Sequence, residues 1–343
     1  MSRFVVRPAQ AGDDAGLVRL AEGAGTGLTT LPANPDALAE RVERSLSSFS
    51  RAASGQAPTG TECFLLVLED VDRGDLVGTA AVYLGVGHDR PFWNFRRSIH
   101  SHYCHELGIR VDSEVLMLAN DYTGAAEVGT LYLDPAARLP GVGALLARSR
   151  YLMMAVDPDR FGSRVIAELR GWLDADGRSP FWEAVGHHFF QMSFERADFL
   201  SGIGQNGFIA DLMPRFPIYS DLLPPAARQA IARAQEASQP ALHLLLKEGF
   251  RHSHSVDIFD AGPVLEAHPH DLRTVRDSRT AVVMADTSDE EPQEVLVCIP
   301  DFTRFRALRT TASPDSAGGL VLSPADRAAL KVGLGETVLW CRA

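Results

Sequence analysis

"LYLDPAARLPGVGALLARSRYLMMA", residues 131–155, passes from a β-like run through Asp134-Pro135 into a short loop and then into a long apolar-rich segment. The loop carries Arg138, Gly141 and Gly143 in the spacing Arg-x-x-Gly-x-Gly. Between a strand and a helix that spacing suits an anion. Glycines let backbone N–H groups turn toward a ligand with no Cβ in the way. The first turn of the helix, read from Gly143 to Val156, adds unpaired N–H groups and the positive end of its dipole. Arg138 supplies a charge-assisted contact, and a pyrophosphate is the natural ligand. Two other phosphate motifs are absent: no P-loop Lys-Ser/Thr pair is present, and no GxGxxG opens a βαβ unit. The loop alone also admits a plainer reading, a glycine-containing connection before an amphipathic helix.

Outward from this loop the chain alternates strand and helix signals. "RFVVRPA" (3–9) is a short β run, and Asp13 or Asp14 can cap a helix running to about Glu22. "AGTGLTTLPAN" (24–34) is a loop with Gly25 and Gly27, and residues 36–49 show apolar positions at helical spacing. Residues 62–87 read as a hairpin around an Asp-Arg-Gly-Asp turn, and residues 88–113 as an insertion. "EVLMLAN" (114–120) and "EVGTLYLDP" (127–135) are a further strand pair, and "SRVIAELRGWLD" (163–174) a strand. A helical region fills 180–249, broken by "MPRFPIY" (213–219), before a closing strand and turn near 254–263. From about residue 276 the pattern changes to short β runs with an acidic loop and a Ser/Gly-rich turn. The expected division is therefore a domain over 1–275 and a small β-rich domain over 276–343.

Composition narrows the function classes. The 343 residues are 45% hydrophobic and 22% charged, as in soluble globular chains, and the net charge of −11 argues against duplex nucleic acid as a partner. No apolar run is long enough for a membrane span, and "MSRFVVRPAQ" is no secretory signal. The four cysteines, Cys63, Cys104, Cys298 and Cys341, form no CxxC pair and read as reduced thiols in a cytoplasmic protein.

The order strand, Arg-x-x-Gly-x-Gly, helix resembles the coenzyme A loop of the GNAT acyltransferases. "GLTTLPAN" (27–34), "NDYTGAAEVGTLYLDP" (120–135), "SPFWEAVGHHFF" (179–190), "ADFLSG" (197–202), "FIADLMPRFPIY" (208–219), "KEGF" (247–250) and "DIFDAGP" (257–263) together resemble the arginine N-succinyltransferase family. The resemblance is collinear to about residue 265 and continues more weakly through "LSPADRAALKVGLGETVLW" (322–340). It implies an α/β (α+β) GNAT-like acyl-CoA N-acyltransferase fold on a twisted, mixed, mostly antiparallel sheet splayed between its central strands. It implies transfer of succinyl from succinyl-CoA to the α-amino group of L-arginine in arginine catabolism, with succinyl-CoA a co-substrate and no separate cofactor.

That chemistry needs an acceptor for the amine proton, donors to the tetrahedral oxyanion, a proton for the departing thiolate, and two substrates fixed in attack geometry. By resemblance, the strand positions Leu131 and Leu133 lie along the pantetheine arm, and the backbone of Leu131 binds succinyl-CoA. Arg138, Gly141, Gly143 and Ala144 take the pyrophosphate. Glu127 is either a base reached through water or an exposed strand-end carboxylate. The family's proton donor is a histidine in a Gly-Gln-Val-His-Pro segment. The matching stretch here is Ala232-Arg233-Ala234-Gln235-Glu236, which puts Gln235 at the histidine position. Glutamine holds a hydrogen bond but exchanges no proton near neutral pH. His243, two helical turns on, can stand in only if the helix is rearranged, and is otherwise a helix-surface residue.

"IHSHYCHE" (99–106) gathers His100, His102, Cys104 and His105 but lacks the CxxC knuckle of a structural zinc site, so no metal is assigned. Only His102 falls where the family carries histidine, and it is expected near the acyl or amine pocket. Asp257 and Asp260 are the candidate partners of a guanidinium, or else turn caps before Gly262-Pro263. Arg96, Arg97 and Arg170 are the candidates for the succinyl carboxylate. Two further readings stand beside a working succinyltransferase. One is a non-catalytic acyl-CoA-binding homologue or the supporting subunit of a paired enzyme, whether with a paralogue or as a homo-oligomer, which Gln235 favours. The other is an N-acyltransferase for a different amine or acyl group.

Overall fold

The structure is a computed structural model, and it describes residues 3–24, 30–284, 290–316 and 318–343. Gly25 and Gly27 of the first loop, and most of the acidic loop at 285–289, lie outside the described residues. In chain order the strands are β1 (Phe4–Pro8), β2 (Cys63–Asp70), β3 (Asp75–Tyr83), β4 (Asn94–Cys104) and β5 (Ile109–Ala119). Next come β6 (Ala126–Leu133), β7 (Val165–Glu168), β8 (Ile218–Tyr219), β9 (Arg251–Asp257) and β10 (Pro263–Ala267). The chain closes with β11 (Arg279–Met284), β12 (Gln293–Cys298), β13 (Ala307–Pro314), β14 (Gly319–Val321) and β15 (Thr337–Arg342). Two compact units form. One comprises Met1–Gly85, Ala125–Val165 and Ala267–Ala343; the other comprises Val86–Gly124 and Ile166–Glu266.

In the first unit β1, β2, β3 and β6 lie side by side and antiparallel. The strongly apolar run Phe64–Leu68 is buried on both faces, as its composition requires, because helices cover each side. Helices Asp14–Ala24 and Pro35–Ala53 pack Leu17, Leu20, Leu38 and Val42 against Leu65, Val67 and Ala81. Pro35 at the first position and the Asn34 side chain, which accepts from the Ala37 amide at 3.0 Å, start the second helix. Helix Val142–Met154 lies on the other face, and Gly78 gives its Leu146 room: a Cβ there would lie 2.8 Å from the Leu146 side chain. This helix is buried on nearly every side, and its buried Arg148 donates to Thr274 Oγ1 and the Arg342 carbonyl.

The β-rich C-terminal segment is present, and β12, β15, β11, β14 and β13 follow one another in hydrogen-bonded order. β12 also pairs with β13, so these five strands close into a ring and leave no open edge within it. The ring is filled by Val283, Val295, Val297, Leu308, Leu320, Leu330 and Val338. Only β11 and β14 run parallel there. β13 reaches β1 at Val6–Ala307, so the ring extends the sheet of the first unit.

In the second unit the order is β7, β10, β9, β4, β5, β8. Phe95, Leu116, Phe181, Trp182, Phe190, Val256, Ile258 and Phe259 form its core. Residues 88–113, expected as an insertion, contain most of a long antiparallel hairpin of β4 and β5. Both faces of its outer half are exposed, so the sequence there shows no alternation from which a strand could be read. The expected helical region at 180–249 consists of short helices, of which Phe194–Gly202 and Gln239–Glu248 are the longest.

Candidate active site

β6 departs from regular pairing where the sequence reading puts the acyl-CoA. Thr79 faces Tyr132 and Ala81 faces Gly129, so Thr130 and Leu131 together oppose Ala80 alone. This is a β-bulge, and Thr130 holds it with φ of 53°, a left-handed conformation that a β-branched residue rarely adopts. The conformation persists because its neighbours hold it in place. The Thr130 amide donates to Thr30 Oγ1 at 3.0 Å, and its hydroxyl donates to the Thr30 carbonyl at 2.9 Å. Tyr83 Oη lies 2.6 Å from Thr130 Oγ1 and 3.4 Å from the same carbonyl. Arg41, from helix Pro35–Ala53, also donates to the Thr30 carbonyl, and its guanidinium carbon is 5.7 Å from the centre of the Tyr83 ring.

Glu127 is Tyr83's cross-strand partner on β6 and is half-buried. Burial pushes its carboxyl up to about 7, while the charge of Arg41 pulls the other way. Burial also pushes the Tyr83 phenol up to about 12, so it acts as a neutral hydrogen-bonding group at physiological pH. Gly129 sits beside both: a Cβ there would lie 3.4 Å from Tyr83 and 3.6 Å from Glu127 Oε1. A carboxylate and a phenol therefore flank the bulge on one face of the strand.

Beyond the bulge, Leu131 and Leu133 are half-buried, and Asp134 caps a single turn at Pro135–Ala137 by accepting from the Ala136 amide at 2.8 Å. Arg138 is exposed, and its Nε donates to the Leu133 carbonyl at 3.2 Å, which draws the guanidinium back toward the end of β6. Gly141 starts the helix with φ of 83°, the conformation for which glycine is suited. No side chain caps the helix, so the first-turn amides of Gly143 and Ala144 are left for a ligand or solvent. Gly141 is also needed for space, because the Arg309 guanidinium from β13 occupies the place a Cβ would take. The bulge and the uncapped helix start thus lie within one stretch of one unit, separated by residues 132–140.

The second unit holds the other candidate residues. Asp257 accepts from the amides of Phe259 (2.7 Å) and Asp260 (2.9 Å). Asp260 accepts from the amides of Gly171 (2.9 Å) and Gly262 (2.8 Å), and lies 3.3 Å from Arg170 Nη1. Arg170 in turn grips Asp198 in a bidentate pair at 2.9 and 2.8 Å. Burial, then the adjacent Asp260 charge, pushes the Asp257 carboxyl up to about 8. Both aspartates cap the turn before Gly262-Pro263. Gln235 Oε1 accepts from the Leu173 amide at 3.2 Å, and its own amide donates to the Arg170 carbonyl, so its side chain braces the strand exit at 170–173. His243 is exposed on helix Gln239–Glu248, and His102 is exposed on the outer half of β4. Among the described residues no hydrogen bond joins His102, Gln235 and His243, and no three His, Cys, Asp or Glu side chains gather as a metal site.

Sequence reading missed Arg41, Tyr83, Thr30 and Thr130. Thr30 and Thr130 fall in "GLTTLPAN" and "NDYTGAAEVGTLYLDP", quoted for their resemblance rather than their chemistry.

The chain matches the family described as "Arginine N-succinyltransferase beta subunit" over residues 4–274 and the corresponding C-terminal domain over 279–342. It is 42% identical over 336 residues to an arginine N-succinyltransferase of Enterobacter sp. (strain 638), covering 98% of this chain and 96% of the relative. It is 41% identical over 335 residues to one of Salmonella paratyphi B, covering 97% and 96%. The solved structure of arginine/ornithine succinyltransferase subunit AI from Pseudomonas aeruginosa superposes with a TM-score of 0.90 at 32% identity, covering 100% of this chain and 99% of that one.

Proposed function

The chain belongs to the arginine N-succinyltransferase family, and from that premise we propose that it transfers the succinyl group of succinyl-CoA to the α-amino group of L-arginine. The products are N2-succinylarginine and CoA. The amine nitrogen attacks the thioester carbonyl, the new C–N bond forms, the C–S bond breaks, and the thiolate leaves. The observation that carries this reading is the β6 bulge at Thr130-Leu131 leading directly to an uncapped helix start behind Arg138. The bulge turns backbone toward the acyl group and away from β3. The amides of Gly143 and Ala144, the helix dipole and Arg138 are suited to the CoA pyrophosphate.

Glu127 accepts the amine proton. A base whose pKa lies near the working pH combines a populated basic form with useful proton affinity, and about 7 meets that condition. Gln235 gives no proton, so the departing thiolate takes one from solvent, and Gln235 acts by bracing residues 170–173. Asp257 and Asp260 act within the framework, since Arg170 and the turn amides already engage them. The division into a transferase domain over 1–275 and a β-rich module over 276–343 is part of the proposal, supported by the separate spans of the two family matches. So is a cytoplasmic location, which the buried, reduced Cys63, Cys298 and Cys341 suit. Among the described residues no helix is long and apolar enough to cross a membrane.

The test is CoA thiol release by purified protein with succinyl-CoA and arginine, beside Gln235→His and His243→Ala. Release by the wild type and by His243→Ala supports the proposal. No release from the wild type, with release restored in Gln235→His, would favour the second reading, a supporting subunit or acyl-CoA-binding homologue. Silence from all three would refute the arginine assignment.

A further inference from the structure

Succinyl differs from a simple acyl group by a second carboxylate at the far end of a two-methylene spacer, and such a charge needs a cation or several N–H donors where water is excluded. The three arginines that the sequence offered are occupied. Arg96 pairs with Asp121 at 3.4 Å, Arg97 with Glu114 at 2.6 Å, and Arg170 with Asp198 and Asp260 at 2.8 and 3.3 Å. Arg41 differs. It is half-buried, it sits on the unit that carries β6, and among the described residues no carboxylate forms an ion pair with it.

Its position is set by the groups that set the bulge. The Thr30 carbonyl accepts from Arg41 Nη1, Thr130 Oγ1 and, at longer range, Tyr83 Oη, so the guanidinium head is held beside the residues that distort β6. The Tyr83 ring supports the planar head. Only one of its five N–H donors is used by Thr30, and the planar fork matches a carboxylate edge.

On the reading given under Proposed function, in which the acyl group lies at the bulge, we propose that Arg41 binds the distal carboxylate of the succinyl group and so sets the preference for a dicarboxylic over a monocarboxylic acyl-CoA. Tyr83 and Thr30 are its positioning residues. A site built to pair a charged group rejects the analogue lacking it far more strongly than an apolar pocket rejects a missing methylene.

The experiment is calorimetric binding of succinyl-CoA and of butyryl-CoA, which keeps the four-carbon chain but ends in methyl, to the full chain and to Arg41→Met and Arg41→Lys. Binding is read without turnover, so a protein that fails to release thiol still answers, and loss of the transferase reading is distinguishable from loss of this one. The wild type is expected to prefer succinyl-CoA on the order of 10- to 100-fold, the range of hydrogen bonds to charged groups. Arg41→Met is expected to erase that preference while leaving butyryl-CoA binding within about threefold, and Arg41→Lys to keep part of it. A second arm compares arginine with agmatine, which lacks the α-carboxylate, with CoA present; its ratio is expected to be unchanged in Arg41→Met. Equal losses for both acyl-CoAs, as from a purely structural role at Thr30, would overturn the proposal. So would a wild type without preference, or a change confined to the arginine–agmatine pair.

Discussion

Replacing Glu127 by glutamine should cost activity and return stability, with both effects tied to pH. Burial moves this carboxyl from 4.5 to about 7 in the folded chain. Between those values the folded protein holds a proton that the unfolded chain has released, so wild-type stability falls as pH rises through the interval and levels off above it. At about 1.4 kcal/mol per pH unit the interval amounts to ~3 kcal/mol, the cost of keeping Glu127 ionised above neutrality. Glutamine has the shape of the protonated acid and carries none of that cost. Glu127→Gln should therefore be more stable than wild type by up to ~3 kcal/mol at pH 8 and by almost nothing at pH 4.5 or below. Its kcat/KM should drop by on the order of 10²–10⁴, as for loss of a general base. The wild-type rate should rise through a limb centred near pH 7, and the variant should lack that limb, keeping only the rise from the amine's own deprotonation. Denaturant melts at pH 5 and pH 8, with pH–rate profiles for both proteins, check the two halves together. Near-wild-type turnover by Glu127→Gln, or a stability gain independent of pH, would refute the reasoning.

Arg138→Ala should weaken CoA binding roughly 10- to 100-fold and flatten its salt dependence, read by calorimetry at two ionic strengths, since the exposed guanidinium is the charged part of the loop. Gly141→Ala should lower stability by about 1–3 kcal/mol, because φ of 83° disfavours any Cβ and the Arg309 head stands where it would go; the denaturant midpoint measures it. Arg170→Met should cost about 3–5 kcal/mol by stranding the nearly buried Asp260 and Asp198, read from the denaturant midpoint.

The strand, loop and helix of residues 131–155 were legible because their residues act locally. A glycine at a helix start, an arginine five residues past a strand and a largely apolar helix behind them need no distant partner to be recognised. Glu127 was read both as a base reached through water and as an exposed strand-end carboxylate, and the sequence could not choose between them. Its pKa depends on how much water the fold removes, and the sequence shows an ordinary strand-end acid. The aspartates at 257 and 260 were offered both as guanidinium ligands and as turn caps. The choice rested on Arg170, which lies about ninety residues away in the chain and occupies Asp260. Thr130 runs against its own propensity: a threonine in a β pattern predicts regular strand, and only the bonds from Thr30, a hundred residues earlier, hold it at φ of 53°.

By itself the sequence determined the family and the strand, loop and helix around Arg138, Gly141 and Gly143, because residue types at fixed local spacing carry that information. The tertiary structure alone decided where β6 breaks register, that Arg41 is held at the bulge by the Thr30 carbonyl, and which carboxyl is driven toward neutrality. Those properties arise from desolvation and from contacts between residues far apart in the chain, and neither is encoded in any short window of it.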